Sequence, residues 1–304
     1  MKRAVSISLG SSSRDKHVQV EFKGVPIIVE RIGTDGDIAK ARHLYLEMDG
    51  QVDAFGVGGV DLFLRLDERE YPLRSALKLV EGLKSPCVDG RGLKHTLERR
   101  VFELAYPQLN DTLDDAENLH FQQAFIPVAA DRLGLAQAVA QVSDQIVLGD
   151  LMVALGIPIP VRGIASYKKI AQLLFPVVSH FPMSMLFYGS SGIEREPKYD
   201  KFWRESDLLA GDFLFMRKHV IDDLAGKTVI TNTTTPANLE FLRERGVSTV
   251  ITTTPRYDGR TFGTNMMEAA ITAYAGKGRP LTDDELNVLI DELELRPTVQ
   301  SLNK

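Results

Sequence analysis

The stretch Phe121–Asp150, FQQAFIPVAADRLGLAQAVAQVSDQIVLGD, decides the reading of the fold. Phe121–Val128 is a short apolar run that leads into Ala129-Ala130-Asp131. Arg132–Val142 has helical spacing, and Gln145–Leu148 is a second apolar run closing on Gly149-Asp150. Strand, helix and strand in this order form the unit that builds a parallel sheet covered by helices.

The alternation continues downstream. Ile157–Val161 is extended by its prolines, Tyr167–His180 is helical, and Met183–Tyr188 reads as a strand ending in Gly189-Ser190-Ser191-Gly192. Asp207–Ala210 reads as a strand ending in Gly211-Asp212. Thr228–Pro236, TVITNTTTP, echoes Thr249–Pro255, TVITTTP, with the helix Ala237–Arg245 between them. Such an echo is too short for a solenoid repeat and fits two neighbouring parallel strands with one kind of ending. A helix begins near Asn265, and Asp283–Leu293 is a terminal helix with Thr282 and Glu285 spaced as a capping box.

Upstream of residue 121 the pattern is mixed. Ala4–Leu9 is a strand running into Gly10 and Ser11–Ser13, and Val18–Phe22 and Val25–Ile32 form a hairpin around Lys23-Gly24. Asp35–Asp49 is a helix that Asp35 or Asp37 caps, Val52–Val57 is a buried strand, and Leu62–Leu66 with Tyr71–Leu73 is a second hairpin. Ser75 caps a helix to Leu83, Cys87–Asp89 is a short strand, and one long helix runs from Leu93 to about Leu104. The acidic segment Asn110–Asn118, NDTLDDAEN, is the linker candidate. The expected architecture is α/β. An N-terminal mixed α/β domain (1–112) precedes a Rossmann-like, mainly parallel, helix-covered sheet (119–280) and a C-terminal helix and tail (281–304).

Composition bounds the function. The 304 residues are 44% hydrophobic and 25% charged, which is globular rather than disordered composition. The net charge of −5 argues against a broad nucleic-acid-binding face. One cysteine, Cys87, excludes an intrachain disulfide and a multi-cysteine metal site and suits a reducing cytoplasm. The apolar run Ile170–Tyr188 is broken by Pro176, His180 and Pro182, so no membrane span or secretion signal is expected. The six histidines lack H-x-x-x-H spacing, and neither a P-loop nor a G-x-S-x-G elbow occurs. No metal is expected. A homo-oligomer is compatible with all of this.

Five places could carry chemistry, because ligands of open α/β sheets bind beyond the carboxyl ends of the strands. The turn after the first strand of the alternating half maps a dinucleotide fingerprint onto Ala129, Asp131 and Gly134, with Arg132 as the neutralising cation and Asp150 as the ribose acid. Only the last glycine is present, and a plain strand–helix turn with a capping Asp explains the residues as well. Thr231, Asn232, Thr233, Thr252 and Thr253 offer hydroxyls and helix starts to phosphate or ribose, although threonine also suits strands and caps. Arg260 and Gly263 precede a helix, where Arg260 could clamp a carboxylate or phosphate with the helix N-terminus and Gly263 would lie on the cofactor side; a polar surface loop is the other reading. Asp89 and Lys94 flank a glycine turn and could form a proton-transfer pair, with His95 beside them solvated or capping. Ser6, Ser8, Ser11 and Ser13 could hold a polyhydroxy or carboxylate substrate, or simply serve the turn.

The runs SISLGSSSRD, DAFGVGGVDL, VDGRGLKHTLERR, VAADRLGLAQAV, SDLLAGDFLFMRKHVIDDLAGKTVITNTTTP and GRTFGTN together resemble bacterial quinate 5-dehydrogenase-like proteins, relatives of the quinate/shikimate dehydrogenases. The resemblance implies an N-terminal substrate domain and a C-terminal NAD or NADP domain. It implies a serine pair at Ser6/Ser8 or Ser11/Ser13 for the substrate, and Lys94 with Asp89 as the catalytic pair. The expected activity is NAD(P)-dependent oxidation of a cyclic polyhydroxy carboxylate such as quinate or shikimate. The alternatives are a Rossmann-like binding or regulatory protein without redox chemistry, and a transferase using a nucleotide-activated donor. In each case the partner is a small anionic or polyhydroxy molecule, not nucleic acid or a membrane.

Overall fold

Lys23 and Gly24 both take left-handed backbone angles, φ 50° and 81°, as a two-residue hairpin requires. They join β2 (Lys16–Phe22) to β3 (Val25–Gly33), as the sequence suggests. The computed structural model describes residues 1–112, 119–186, 195–257 and 260–303. It falls into two units. The first comprises Met1–Leu93, Gln172–Gly192 and Gly263–Glu294, and the second Lys94–Ala171, Ile193–Phe262 and Leu295–Lys304.

In the first unit, β1 (Lys2–Ser8) lies between β3 and β4 (Ala54–Gly58) and is parallel to both. A separate hairpin, β5 (Phe63–Leu66) and β6 (Arg69–Pro72), precedes β7 (Cys87–Val88). The sheet order is β2-β3-β1-β4-β7. The helix Thr264–Ala275 packs on β1, β3 and β4. Its approach depends on small residues, since a β-carbon on Gly56 would stand 2.9 Å from the Asn265 carbonyl oxygen. Asp37 caps the helix Ile38–Met48 through the Lys40 N–H; Asp35 instead accepts from the Ser12 N–H. The capping box of Thr282 and Glu285 forms on the helix Asp283–Glu292.

The second unit holds β8 (Phe121–Ile126), β9 (Ser143–Leu148), β10 (Val161–Arg162), β11 (Leu208–Gly211), β12 (Thr228–Thr231), β13 (Thr249–Thr252), the two-residue pair β14 (Arg256–Tyr257) and β15 (Arg260–Thr261), and β16 (Thr298–Ser301). The large sheet has the order β10-β9-β8-β11-β12-β13-β16. Its five central strands are parallel, and β10 and β16 run antiparallel at the two ends. Ranked along the chain, its first six strands lie in the order 3-2-1-4-5-6, the doubly wound order of dinucleotide-binding folds. The fold is therefore mixed α/β with a Rossmann-like, mainly parallel sheet. The TVIT echo is this topology read from sequence: β12 and β13 pair in register, Thr228 with Thr249 through Thr231 with Thr252. Trp203 is fully buried in the core of this unit, edge-on to Phe125 at 5.0 Å between ring centroids.

Four local expectations change. The helix expected over Leu93–Leu104 is two helices, Arg91–His95 and Val101–Thr112, because Thr96–Arg100 turn so that Glu98 meets Arg132. Ser75 caps nothing: Leu73 is the N-cap of the short helix Arg74–Leu77, and the Ser75 hydroxyl donates to the Phe181 carbonyl. Met183–Leu186 is helical, not a strand, a choice that a short apolar run cannot signal by its period. Residues 187–194, expected as that strand's end and glycine turn, lie outside the described residues. So do 113–118 of the linker candidate, whereas Asn110 to Thr112 finish a helix.

Candidate functional site

The order of the large sheet reverses between β8 and β11, and a crevice for ligands opens beyond the carboxyl ends of strands at such a point. The chain leaving β8 carries Asp131 and Arg132, and the chain leaving β11 carries Asp212. The Arg132 guanidinium is 3% exposed. It donates to Glu98 Oε1 and lies 3.3 Å from Asp212 Oδ2 and 3.4 Å from Asp131 Oδ2. Glu98 is fully buried, its Oε1 also accepts from the Thr253 hydroxyl at 3.3 Å, and its Oε2 has no partner. Burial pushes the Glu98 carboxyl up, against the pull of Arg132 and Lys94.

Lys94 Nζ stands 3.0 Å from Asp131 Oδ2. Burial would raise the Asp131 carboxyl, but the charges of Lys94 and Arg132 outweigh it and hold the group below its ordinary range. Asp212 caps the helix Phe213–His219 through the Leu214 N–H and accepts from Asn232 Nδ2 at 2.8 Å. Two cations, Lys94 and Arg132, thus face three carboxylates, Glu98, Asp131 and Asp212. Asp131 and Asp212 keep 17% and 24% of their side chains exposed, so they are the acids of this group that solvent or a ligand can reach.

The acid that sequence places against Lys94 is Asp89; in the structure it is Asp131. The two Asp89 oxygens are taken by the N–H groups of Leu62, at 2.7 Å, and Arg91, at 3.1 Å, so Asp89 holds its own loop. His95 is buried rather than solvated.

Asp150 closes β9, where a ribose-binding acid would stand. Its carboxylate turns onto the loop after β8 instead. Oδ1 accepts the N–H groups of Ala129 and Ala130 at 3.0 and 2.8 Å and the Tyr167 hydroxyl at 3.1 Å. Burial pushes the Asp150 carboxyl up to about 7, against those two backbone donors. In a dinucleotide-binding loop such N–H groups hold the pyrophosphate. Gly134 is the fingerprint's surviving glycine, and it serves packing: a β-carbon there would stand 2.3 Å from the Lys94 carbonyl oxygen. With its amides capped by a carboxylate and no surplus of cations beside it, this loop does not fit a pyrophosphate.

The threonines at the strand ends are engaged within the protein. Thr231 donates to Asn232 Oδ1, Thr234 and Thr252 share a hydrogen bond, and Thr254 lies 2.7 Å from both the Asn232 and the Phe262 carbonyl oxygens. Thr233 is half-buried. Of Arg260 only the backbone is described, and Asp258 and Gly259 lie outside the described residues. Gly263 is the N-cap of the helix Thr264–Ala275.

In the first unit the serines gather at the carboxyl end of β1. Ser6 and Ser8 are buried; Ser6 accepts from Asn265 Nδ2 at 2.7 Å, and Ser8 accepts from the Gly10 N–H at 3.1 Å. Ser11 accepts from the Ser13 N–H and shares a hydrogen bond with its hydroxyl. Sequence reasoning did not single out Glu98, Asp212 or Tyr167. Asp212 had a usable signal, an acid closing a strand as Asp150 does. Glu98 had none, being one charge among several in a charged run. Among the described residues no three His, Cys, Asp or Glu are placed to hold a metal, and no helix is long and apolar enough to cross a membrane.

Residues 92–302 match the family model described as Domain of unknown function (DUF8754). The chain belongs to this DUF8754 family. The segment before it, residues 3–89, matches Domain of unknown function (DUF8753), so the DUF8754 match takes in Lys94, Glu98, Asp131, Arg132, Asp150 and Asp212. No curated protein matches the chain. Among solved structures it is similar to an NAD-dependent malic enzyme from Thermotoga maritima, at 10% identity and a TM-score of 0.40 over 95% of this chain and 75% of that one. A glucose-galactose binding protein from Geobacillus stearothermophilus is 9% identical, with a TM-score of 0.37 over 99% and 97%. A malic enzyme from Entamoeba histolytica is 10% identical, with a TM-score of 0.36 over 82% of this chain and 49% of that one.

Proposed function

We propose that the chain binds a small polyhydroxylated molecule at the carboxyl edge of the large sheet and does so without a dinucleotide in the loop after β8. One observation carries this reading: the Asp150 carboxylate already holds the Ala129 and Ala130 N–H groups that a pyrophosphate would need. The groups at the same edge are Asp131 and Asp212, which solvent reaches, and the buried Lys94 ammonium 3.0 Å from Asp131, a set that accepts from and donates to hydroxyls. Carboxylates are strong acceptors for sugar-type hydroxyls and repel phosphates.

A second reading keeps the oxidoreductase expected from the family resemblance, acting on a cyclic polyhydroxy carboxylate such as quinate or shikimate with NAD or NADP. The strand order and the close Lys94–Asp131 pair favour it, since a partly desolvated Lys held by an acid can exchange a proton with a substrate hydroxyl. A thermal-shift series separates the two. Quinate, shikimate and neutral cyclic polyols are tested alone, and NAD and NADP are tested alone and with each. Stabilisation by a polyol alone, with no effect of either dinucleotide, supports binding without redox chemistry. Stabilisation by NAD or NADP alone overturns it in favour of the oxidoreductase.

A further inference from the structure

Charge also gathers at the carboxyl edge of the first unit's sheet. Arg14 ends the helical turn Ser12–Arg14 and Arg31 lies on β3, and both guanidiniums reach Gly10, just past β1. A β-carbon on Gly10 would stand 2.4 Å from Arg14 Nη2, 3.0 Å from Arg31 Nη2 and 3.2 Å from Ser8 Oγ. Gly10 has no positive φ, so it is this approach and not the backbone angle that calls for glycine.

The loop's own bonds take up its backbone donors. The N–H groups of Gly10, Ser12 and Ser13 are taken by Ser8 Oγ, Asp35 Oδ1 and Ser11 Oγ. Arg31 uses Nη1 for the Ser11 carbonyl and Asp15 Oδ1, both at 2.9 Å, and makes no other hydrogen bond among the described residues. Its side chain is only 10% exposed. Burial first, and then the charge of Arg14, lower the Arg31 guanidinium to about 10, against the pull of Asp15 and Asp35. In the order β3-β1-β4 the chain moves to one side of β1 and then to the other, so this edge too is a point of reversal.

We propose that Arg14, Arg31 and the Ser8 hydroxyl form an oxyanion subsite that takes the carboxylate or phosphate group of a small molecule. A guanidinium presents paired donors that match either group, and a bound anion relieves the repulsion between the two arginines. Asp15 and Asp35 hold the frame from Nη1 and the Ser12 N–H, which leaves Arg31 Nη2 and Nε to the ligand. The subsite involves no redox step, and its test contains no cofactor, so its failure and that of the reading above are separately visible.

The test is calorimetric titration of the full chain with inorganic phosphate and, separately, with acetate. One saturable site is expected for at least one of them, with phosphate or carboxylate identified as the source by which binds more tightly. Arg14→Met should weaken binding by roughly tenfold or more, as loss of a charge-assisted donor does. Arg31→Lys, which keeps the charge and loses the fork, should weaken it as well. Arg31 also ties the loop together, so circular dichroism checks its variant, and Arg14→Met decides the case if that variant misfolds. No saturable binding of either anion, or unchanged binding by Arg14→Met, overturns the proposal.

Discussion

Replacing Arg132 by Met keeps much of its length and apolar stem and removes the cation on which Glu98 depends. Glu98 is 0% exposed, and without Arg132 its side chain retains the Thr253 hydroxyl at 3.3 Å and the more distant charge of Lys94. Removing one partner of a buried pair costs about 3–5 kcal/mol, because a desolvated charge is left behind. Glu98 has an escape, which is to take up a proton. Its folded carboxyl is already raised by burial, and losing Arg132 raises it further. Each unit of additional shift is worth about 1.4 kcal/mol, so the penalty grows as pH rises above the ordinary carboxylate range and levels off once Glu98 is ionised in the folded chain as well. The assay is urea unfolding followed by tryptophan fluorescence. Trp203 is the only tryptophan of the chain and is fully buried in the second unit, so its signal reports the unit that holds the pair. We expect Arg132→Met to lose about 3–5 kcal/mol near neutral pH and less under mildly acidic conditions. Adding Glu98→Met should recover most of the loss, since an apolar pair of similar volume is often neutral or stabilising. A loss below about 1 kcal/mol, or a double variant as unstable as the single, would refute the claim that buried Glu98 depends on Arg132.

Three further outcomes follow from the same geometry. Gly134→Ala should lose roughly 1–3 kcal/mol by overpacking against the Lys94 carbonyl, although helix propensity alone gives a gain of up to ~1 kcal/mol; the sign of the change in urea midpoint decides. The Asp150 carboxyl is raised from 3.8 to about 7, so the unfolded chain loses this proton first and the group's contribution to stability falls as pH rises between those values. In Asp150→Asn that descending component should vanish, and an unchanged stability–pH slope would count against the assignment. Thr282→Ala should destabilise the helix Asp283–Glu292 by about 1 kcal/mol, read as faster amide exchange in its first turn, because the capping box is lost.

The parallel half of the fold was legible in the sequence for a physical reason. Strands buried on both faces read as short apolar runs, and the two TVIT segments carry nearly identical environments into neighbouring positions of one sheet. Caps were legible where both partners are local, as for Thr282 with Glu285 and Asp37 with Lys40. Ser75 was misread because its partner, the Phe181 carbonyl, is distant in the chain. The same limit governs the site. Strand ends pointed to Asp131, Arg132 and Asp150, yet the partners that define their chemistry lie 20 to 80 residues away: Ala130 for Asp150, Glu98 and Asp212 for Arg132. Asp89 was paired with Lys94 through nearness in sequence, but the short loop bonds of Asp89 hold it elsewhere.

The central claim is that the Asp150 carboxylate occupies the donors of the loop after β8. Selective 15N labelling of alanine allows the Ala129 and Ala130 amides to be followed through a pH titration, before and after addition of NAD or NADP. Both amides should titrate with the Asp150 carboxyl near 7, the titration should be absent in Asp150→Asn, and neither dinucleotide should move them. Amides that ignore Asp150, or that shift saturably when a dinucleotide is added, would contradict the claim.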